Sequence, residues 1–267
     1  MPKQNEAVSL RLITFHLLLL IVALILTGMP VASAAQSRDN SPSYSRLNTM
    51  GVFGAFSGDS SHILLGQAEN RRLLSLGVAY SRRLAMNHEV SWQYDAEVVP
   101  VAMESDPLGL VVEQQTSPNT ATYSYNSGPL TYCSPINTPY SETDPVTGTT
   151  YSGTVTISCH GRRWVAGEAI SPAGLRWNFL PQHKTQFFVG AHGGYMYSTQ
   201  EIPVNGGGSF NFTFDVGAGI EYYRSRNRSI RVEYRYHHIS NNDSAQLNPG
   251  IDNGLIQVMY CFGFGRQ

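Results

Sequence analysis

The sequence predicts an all-β fold: an eight-stranded antiparallel transmembrane β-barrel with a long extracellular loop between the third and fourth strands. Three observations carry that prediction. Apolar and polar residues alternate with a period of two in eight segments, the signature of strands with one apolar face. Several segments exceed the roughly 5–6 residues usual for a soluble strand and match the roughly 9–11 that cross a bilayer when tilted. The connections alternate short and long, as in barrels with short periplasmic turns and longer external loops.

The eight segments are 48–57, 72–82, 88–101, 168–180, 184–199, 209–225, 229–240 and 253–264. The clearest is 209–225. Phe210, Phe212, Phe214, Val216, Ala218, Ile220 and Tyr222 share one face, and Asn211, Thr213, Asp215, Gly217, Gly219 and Glu221 share the other. In 88–101, Val90, Trp92, Tyr94, Ala96 and Val98 oppose Ser91, Gln93, Asp95 and Glu97. Leu74, Leu76, Val78 and Tyr80 repeat the pattern in 72–82, and Leu175, Trp177 and Phe179 in 168–180. Closing such strands into a ring leaves no unpaired edge in lipid. The opposite face then carries Asp95, Glu97, Asp215, Glu221 and Glu233 beside Arg176, Arg231 and Arg235. An eight-stranded barrel is filled by its side chains, so these charges are expected to pair inside it.

Composition excludes other classes. The chain has 267 residues, of which 42% are hydrophobic, 11% aromatic and 14% charged, with a net charge of −1. Disordered chains are poor in aromatics and rich in charge. A nucleic-acid binder would carry a basic face, yet the lysines are Lys3 and Lys184 alone.

Residues 1–35 read as a secretory signal, leaving 36–267 as the barrel domain. Lys3 and Arg11 precede an apolar run from Leu12 to Gly28, and Ala32-Ser33-Ala34 supplies a small-x-small cleavage site. The export signal favours an oxidising compartment. Cys133 and Cys159 lie together in the polar 102–167 segment and are a candidate disulfide, whereas Cys261 sits within an alternating segment as a small inert residue. The 102–167 segment is rich in Ser, Thr, Pro, Tyr and Gly and is expected to be an external loop.

The chemistry concentrates at the end of the seventh segment and the start of the eighth. His238 and Ser240 continue the outward parity of Ile230, Val232, Tyr234 and Tyr236, and Asp252 shares the parity of Ile256, Val258 and Tyr260. His237 falls on the inward parity, so His237 and His238 point apart and do not chelate a metal together. A His and a Ser two residues apart on a strand share a face. An imidazole there can take the hydroxyl proton, and a carboxylate can fix its tautomer. Polar groups facing lipid are costly, and that cost points to function. The alternative is an ordinary solvated strand end.

The run His238-Ile239-Ser240-Asn241, followed by Asn248-Pro249-Gly250-Ile251-Asp252, resembles the signature of the lipid A 3-O-deacylase (PagL-type) family, His-x-Ser-Asn and then Asn-x-Gly-Ile-Glu. The resemblance implies an outer-membrane barrel of a Gram-negative cell that hydrolyses the ester-linked 3-O-acyl chain of lipid A in lipopolysaccharide. It implies Ser240 as nucleophile, His238 as general base and Asp252 as the orienting acid. Asn241, Asn248 and Gly250 would support the turn and the oxyanion pocket. No cofactor or metal is implied, and the partners are the lipid substrate and the surrounding outer-membrane lipids. The sequence departs from the family pattern at Asp252, an Asp in place of Glu, and at Asp243, where the family has Gly. Arg71 and Arg72 are candidates for holding the anionic headgroup. Two other readings compete: a non-enzymatic barrel, such as an adhesin or structural protein, and a soluble periplasmic calyx holding a lipophile.

Overall fold

A computed structural model describes residues 43–60 and 63–265. The expected signal at 1–35 lies outside the described residues. The described chain forms ten strands: β1 (Asn48–Ser57), β2 (Arg72–Met86), β3 (Val90–Ser117), β4 (Ala121–Pro129), β5 (Ile136–Thr143), β6 (Thr150–Phe179), β7 (Thr185–Ser198), β8 (Phe210–Ser225), β9 (Arg228–Ser240) and β10 (Ile251–Phe264). Every pairing is antiparallel. β1 pairs with β2, β2 with β3, β3 with β6, and β6 through β10 pair in succession. β10 returns to β1 and closes the ring. The ring strands correspond to the eight alternating segments, and the first matches its expected bounds.

The alternation sorts residues as expected from a lipid-facing wall. Along β8, Phe210, Phe212, Phe214, Val216, Ile220 and Tyr222 are exposed, while Asn211, Thr213, Asp215 and Glu221 are buried. The wall is apolar outside and charged inside, the reverse of a soluble calyx. Inside, Arg176 bridges Asp95 and Glu221, at 2.9 Å each. Arg235 pairs with Glu97 at 2.6 Å and Glu233 at 2.9 Å. His237 lies 2.5 Å from Asp215. The Arg176 and Arg231 guanidinium groups lie over the ring of buried Phe188, 5.5 Å from its centroid.

Arg235, Glu97 and Glu233 are buried and depend on one another. Arg235→Leu would strand Glu97 and Glu233, so it is expected to destabilise the barrel by about 3–5 kcal/mol. Urea unfolding in lipid vesicles measures this. An unchanged midpoint would mean that the interior is already wet at Arg235.

The expectation for 102–167 requires correction. It is not an open loop. β3 continues to Ser117 and β6 begins at Thr150, and the two remain paired from the ring out to Ser117 and Ser152. β4 adds to the outer part of β3 and β5 to that of β6, giving a four-stranded sheet in the order β4-β3-β6-β5. This sheet extends from the end of the ring that carries the long connections, the external end in barrels of this kind. Cys133 and Cys159 form a disulfide that ties the β4–β5 connection to β6, with a Cα–Cα distance of 5.1 Å. Cys261 is a buried free thiol.

Period-two patterning missed the extension because both of its faces meet water over much of their area. Thr122, Ser124 and Asn126 alternate with Tyr123 and Tyr125, and all five are exposed. Its Tyr residues alternate with Thr, Ser and Asn without any contrast in exposure, so no buried face marks it as a strand. Its remaining signal was composition, since Thr and Tyr favour the pleated backbone.

Candidate active site on the outer wall

The pairing of β9 with β10 places Asp252 directly opposite His238, and that of β9 with β8 places Phe214 opposite His238 and Phe212 opposite Ser240. The three polar residues therefore share a wall with Phe212 and Phe214. His238 Nδ1 and Asp252 Oδ1 are 2.7 Å apart. If Nδ1 carries the proton of this bond, the Nε2 lone pair is left to accept another. The Tyr236 hydroxyl donates to the same Asp252 oxygen at 2.8 Å.

Asp252 has the outward parity but is fully buried. The β1–β2 connection covers it. The backbone amides of Leu64 and Leu65 donate to Asp252 Oδ2 at 2.7 and 2.8 Å. Just beyond, the Gln67 amide donates to the Pro249 carbonyl and the Ala68 amide to the Gly250 carbonyl. Two external connections are thus laced together over the carboxylate. Two glycines permit the approach. A Cβ on Gly66 would stand 2.5 Å from the Asp252 nitrogen, and one on Gly250 would stand 3.3 Å from His238 Cε1. Gly250 also holds φ at +60°, which disfavours other residues.

Ser240 ends β9 and is half-buried. Its hydroxyl donates to Asn248 Oδ1 at 3.0 Å and accepts from the Asn242 amide at 3.1 Å. The hydroxyl therefore faces Asn248. Asn242 and Asp243 adopt φ of 52° and 58°, which turns the chain back at the strand end. Asn241 is buried. Its side-chain amide donates to the carbonyls of Gly207 and Leu247, at 2.6 and 2.7 Å. The side-chain amide of Asn248 donates to Asp243 Oδ1 at 3.0 Å. Both side-chain amides thus fasten the 241–250 connection, and Asp243, which stands where the resemblance places a Gly, is one of the anchors. The donor held against Ser240 is the main-chain N–H of Asn242.

Of the two cations considered for the headgroup, Arg72 is exposed and Arg71 is not available. Arg71 is fully buried, 3.2 Å from Asp106 and 3.9 Å from Glu104, and it donates to the carbonyls of Leu130 and Pro203. Burial pulls its guanidinium below the usual arginine range, opposed by Asp106 and Glu104. The reason is parity: Arg71 points inward with buried Leu73, and Arg72 points outward with Leu74.

Sequence reasoning missed Tyr236 as a partner of Asp252, and it missed the 63–66 segment altogether. The available signal was Ile63-Leu64-Leu65-Gly66, an aliphatic run that fits no alternating segment.

With that geometry established, comparison with known proteins places the chain. The lipid A 3-O-deacylase (PagL) family matches residues 116–260, which include β6 through β9, most of β10 and all of His238, Ser240 and Asp252. The chain belongs to this family. Family membership and the lipid-facing wall point to the outer membrane of a Gram-negative cell. No individual curated protein matches the chain in sequence. Among solved structures, Neisserial surface protein A is similar with a TM-score of 0.43 at 11% identity, covering 81% of this chain and 97% of its own. The outer membrane enzyme PagL has a TM-score of 0.41 at 14% identity, covering 81% and 99%. OprG from Pseudomonas aeruginosa has 0.38 at 11%, covering 82% and 98%.

Proposed function

We propose that this PagL-family chain is a serine esterase that removes the 3-O-linked acyl chain of lipid A, with Ser240, His238 and Asp252 as its catalytic group. The observation that carries the reading is the 2.7 Å hydrogen bond between His238 and Asp252 on an otherwise apolar wall, with Ser240 two residues along the same face.

In the first half-reaction Ser240 Oγ attacks the ester carbonyl carbon, and its proton passes to His238 Nε2. Asp252 holds Nδ1–H and stabilises the imidazolium. The negative charge on the former carbonyl oxygen needs a donor, and the Asn242 N–H is the one held nearest the reacting oxygen. Collapse breaks the bond to the sugar oxygen. That oxygen takes the proton from His238 and leaves, and the acyl group stays on Ser240. Water then attacks the acyl-enzyme and gives its proton to His238. The fatty acid departs, and Ser240 regains its hydrogen. The acyl chain lies along the wall, where Phe212 and Phe214 continue the apolar surface beside the site. Arg72 is the exposed cation placed to meet an anionic headgroup.

Mass spectrometry of lipid A from a host expressing the chain tests the reading. Loss of the 3-O-acyl chain is the expected result. Unchanged acylation with a folded, membrane-inserted barrel would overturn it.

A further inference from the structure

The Ile63-Leu64-Leu65 tip of the β1–β2 connection shows two properties that are rarely joined. Its main chain supplies two of the donors that hold Asp252. Its side chains are exposed, Ile63 at 44% and Leu64 and Leu65 at 75% and 64% of full exposure, the last two among the more exposed aliphatics of the described residues. Three exposed aliphatic side chains in a row on an external connection expose apolar area to no benefit in water. Next to a wall that already faces lipid, they extend that wall over the acid of the catalytic group.

We propose that residues 63–66 are a positioning and specificity element for the acyl chain. Leu64 and Leu65 pack against the bound acyl chain, while their amides and the close approach of Gly66 hold Asp252 in line with His238. This rests on the esterase reading above and adds the element that reads acyl-chain length. It also accounts for the shorter acid. An Asp reaches less far from β10 than a Glu would, and here the connection comes down to meet it: the Gly66 Cα sits where any side chain would collide with the Asp252 backbone. The tip therefore joins chain binding to alignment of the acid. Apolar contact made along the chain gives discrimination that grows with its length.

The experiment uses the full-length barrel in vesicles, with p-nitrophenyl butyrate and p-nitrophenyl myristate as probes. The readout is the ratio of kcat/KM for myristate to that for butyrate, in which the fraction of folded protein cancels. The Leu64→Asn/Leu65→Asn double variant keeps both main-chain amides and removes the apolar side chains. Its ratio is expected to fall by about tenfold. Gly66→Ala pushes the connection away from Asp252, so it is expected to lower kcat on both esters and leave the ratio near that of the wild type. A double variant with the wild-type ratio would overturn the proposal, as would a Gly66→Ala variant with the wild-type kcat. If the wild-type chain cleaves neither ester nor lipid A, the esterase reading itself falls, and this inference with it.

Discussion

Ser240→Ala is expected to lower fatty-acid release from lipid A by a factor of about 10⁴ or more, because loss of the nucleophile removes covalent catalysis and not one contact among many. The substitution is mild for the fold. Ser240 sits at the end of β9, half-buried, and its hydroxyl serves one hydrogen bond to Asn248 and one from Asn242. Losing them costs on the order of 1 kcal/mol each, well short of what the interior ion pairs hold. Heat-dependent gel mobility and membrane fractionation should therefore match the wild type, while mass spectrometry shows fully acylated lipid A. His238→Ala is expected to fall to a similar level, and the double variant to fall little further, because the two act as a unit. An active Ser240→Ala variant would move the nucleophile elsewhere. The nearest alternative is Ser244, whose hydroxyl donates to the Asn241 carbonyl at 2.7 Å.

How much of this was legible follows from where each feature stores its information. The ring strands were legible because one face meets lipid and the other a packed interior, so the contrast is written into neighbouring residues such as Phe214 and Asp215. The β4–β5 extension was not, because neither face is fully buried and Tyr123 alternates with Ser124 without contrast in exposure. Parity separated His238 from His237, and the structure places them on opposite sides of the wall, against Asp252 and Asp215 respectively. Parity also separates Arg71 from Arg72, but the sequence reading treated them as a pair. The cover over Asp252 was beyond any local pattern. Leu64 and Asp252 are 188 positions apart, and a contact between main-chain amides and a carboxylate leaves no mark on residue type. The long aliphatic run at 63–65 was a hint, but its partner could be found only once the ring had closed and brought β1 beside β10.

Asp252→Asn is expected to lower turnover by about 10⁴ without unfolding the barrel, the scale seen when a catalytic carboxylate is replaced by its amide. The hydrogen-bond inventory explains why an isosteric change is not tolerated. The contacts to the carboxylate oxygens call for an acceptor: His238 Nδ1 and the Tyr236 hydroxyl at Oδ1, the Leu64 and Leu65 amides at Oδ2, and the Gly66 amide beside them. An Asn has one acceptor oxygen and one donor nitrogen. With its oxygen toward His238, its NH₂ faces two main-chain N–H groups that cannot turn away, and the connection over the site is forced open. With its oxygen toward Leu64 and Leu65, its NH₂ faces Nδ1 and drives the imidazole to carry its proton on Nε2, where it cannot receive one from Ser240. Either orientation removes the carboxylate charge that stabilises imidazolium, and the second also removes the general base. Asp252→Glu keeps the charge and both acceptors but must lengthen the acid beneath the 64–66 main chain, so its activity is expected to lie between that of Asp252→Asn and the wild type. Steady-state rates on p-nitrophenyl myristate rank the three. An Asp252→Asn variant that ran at the wild-type rate would take the acid out of the mechanism and leave the His238–Asp252 bond a structural one.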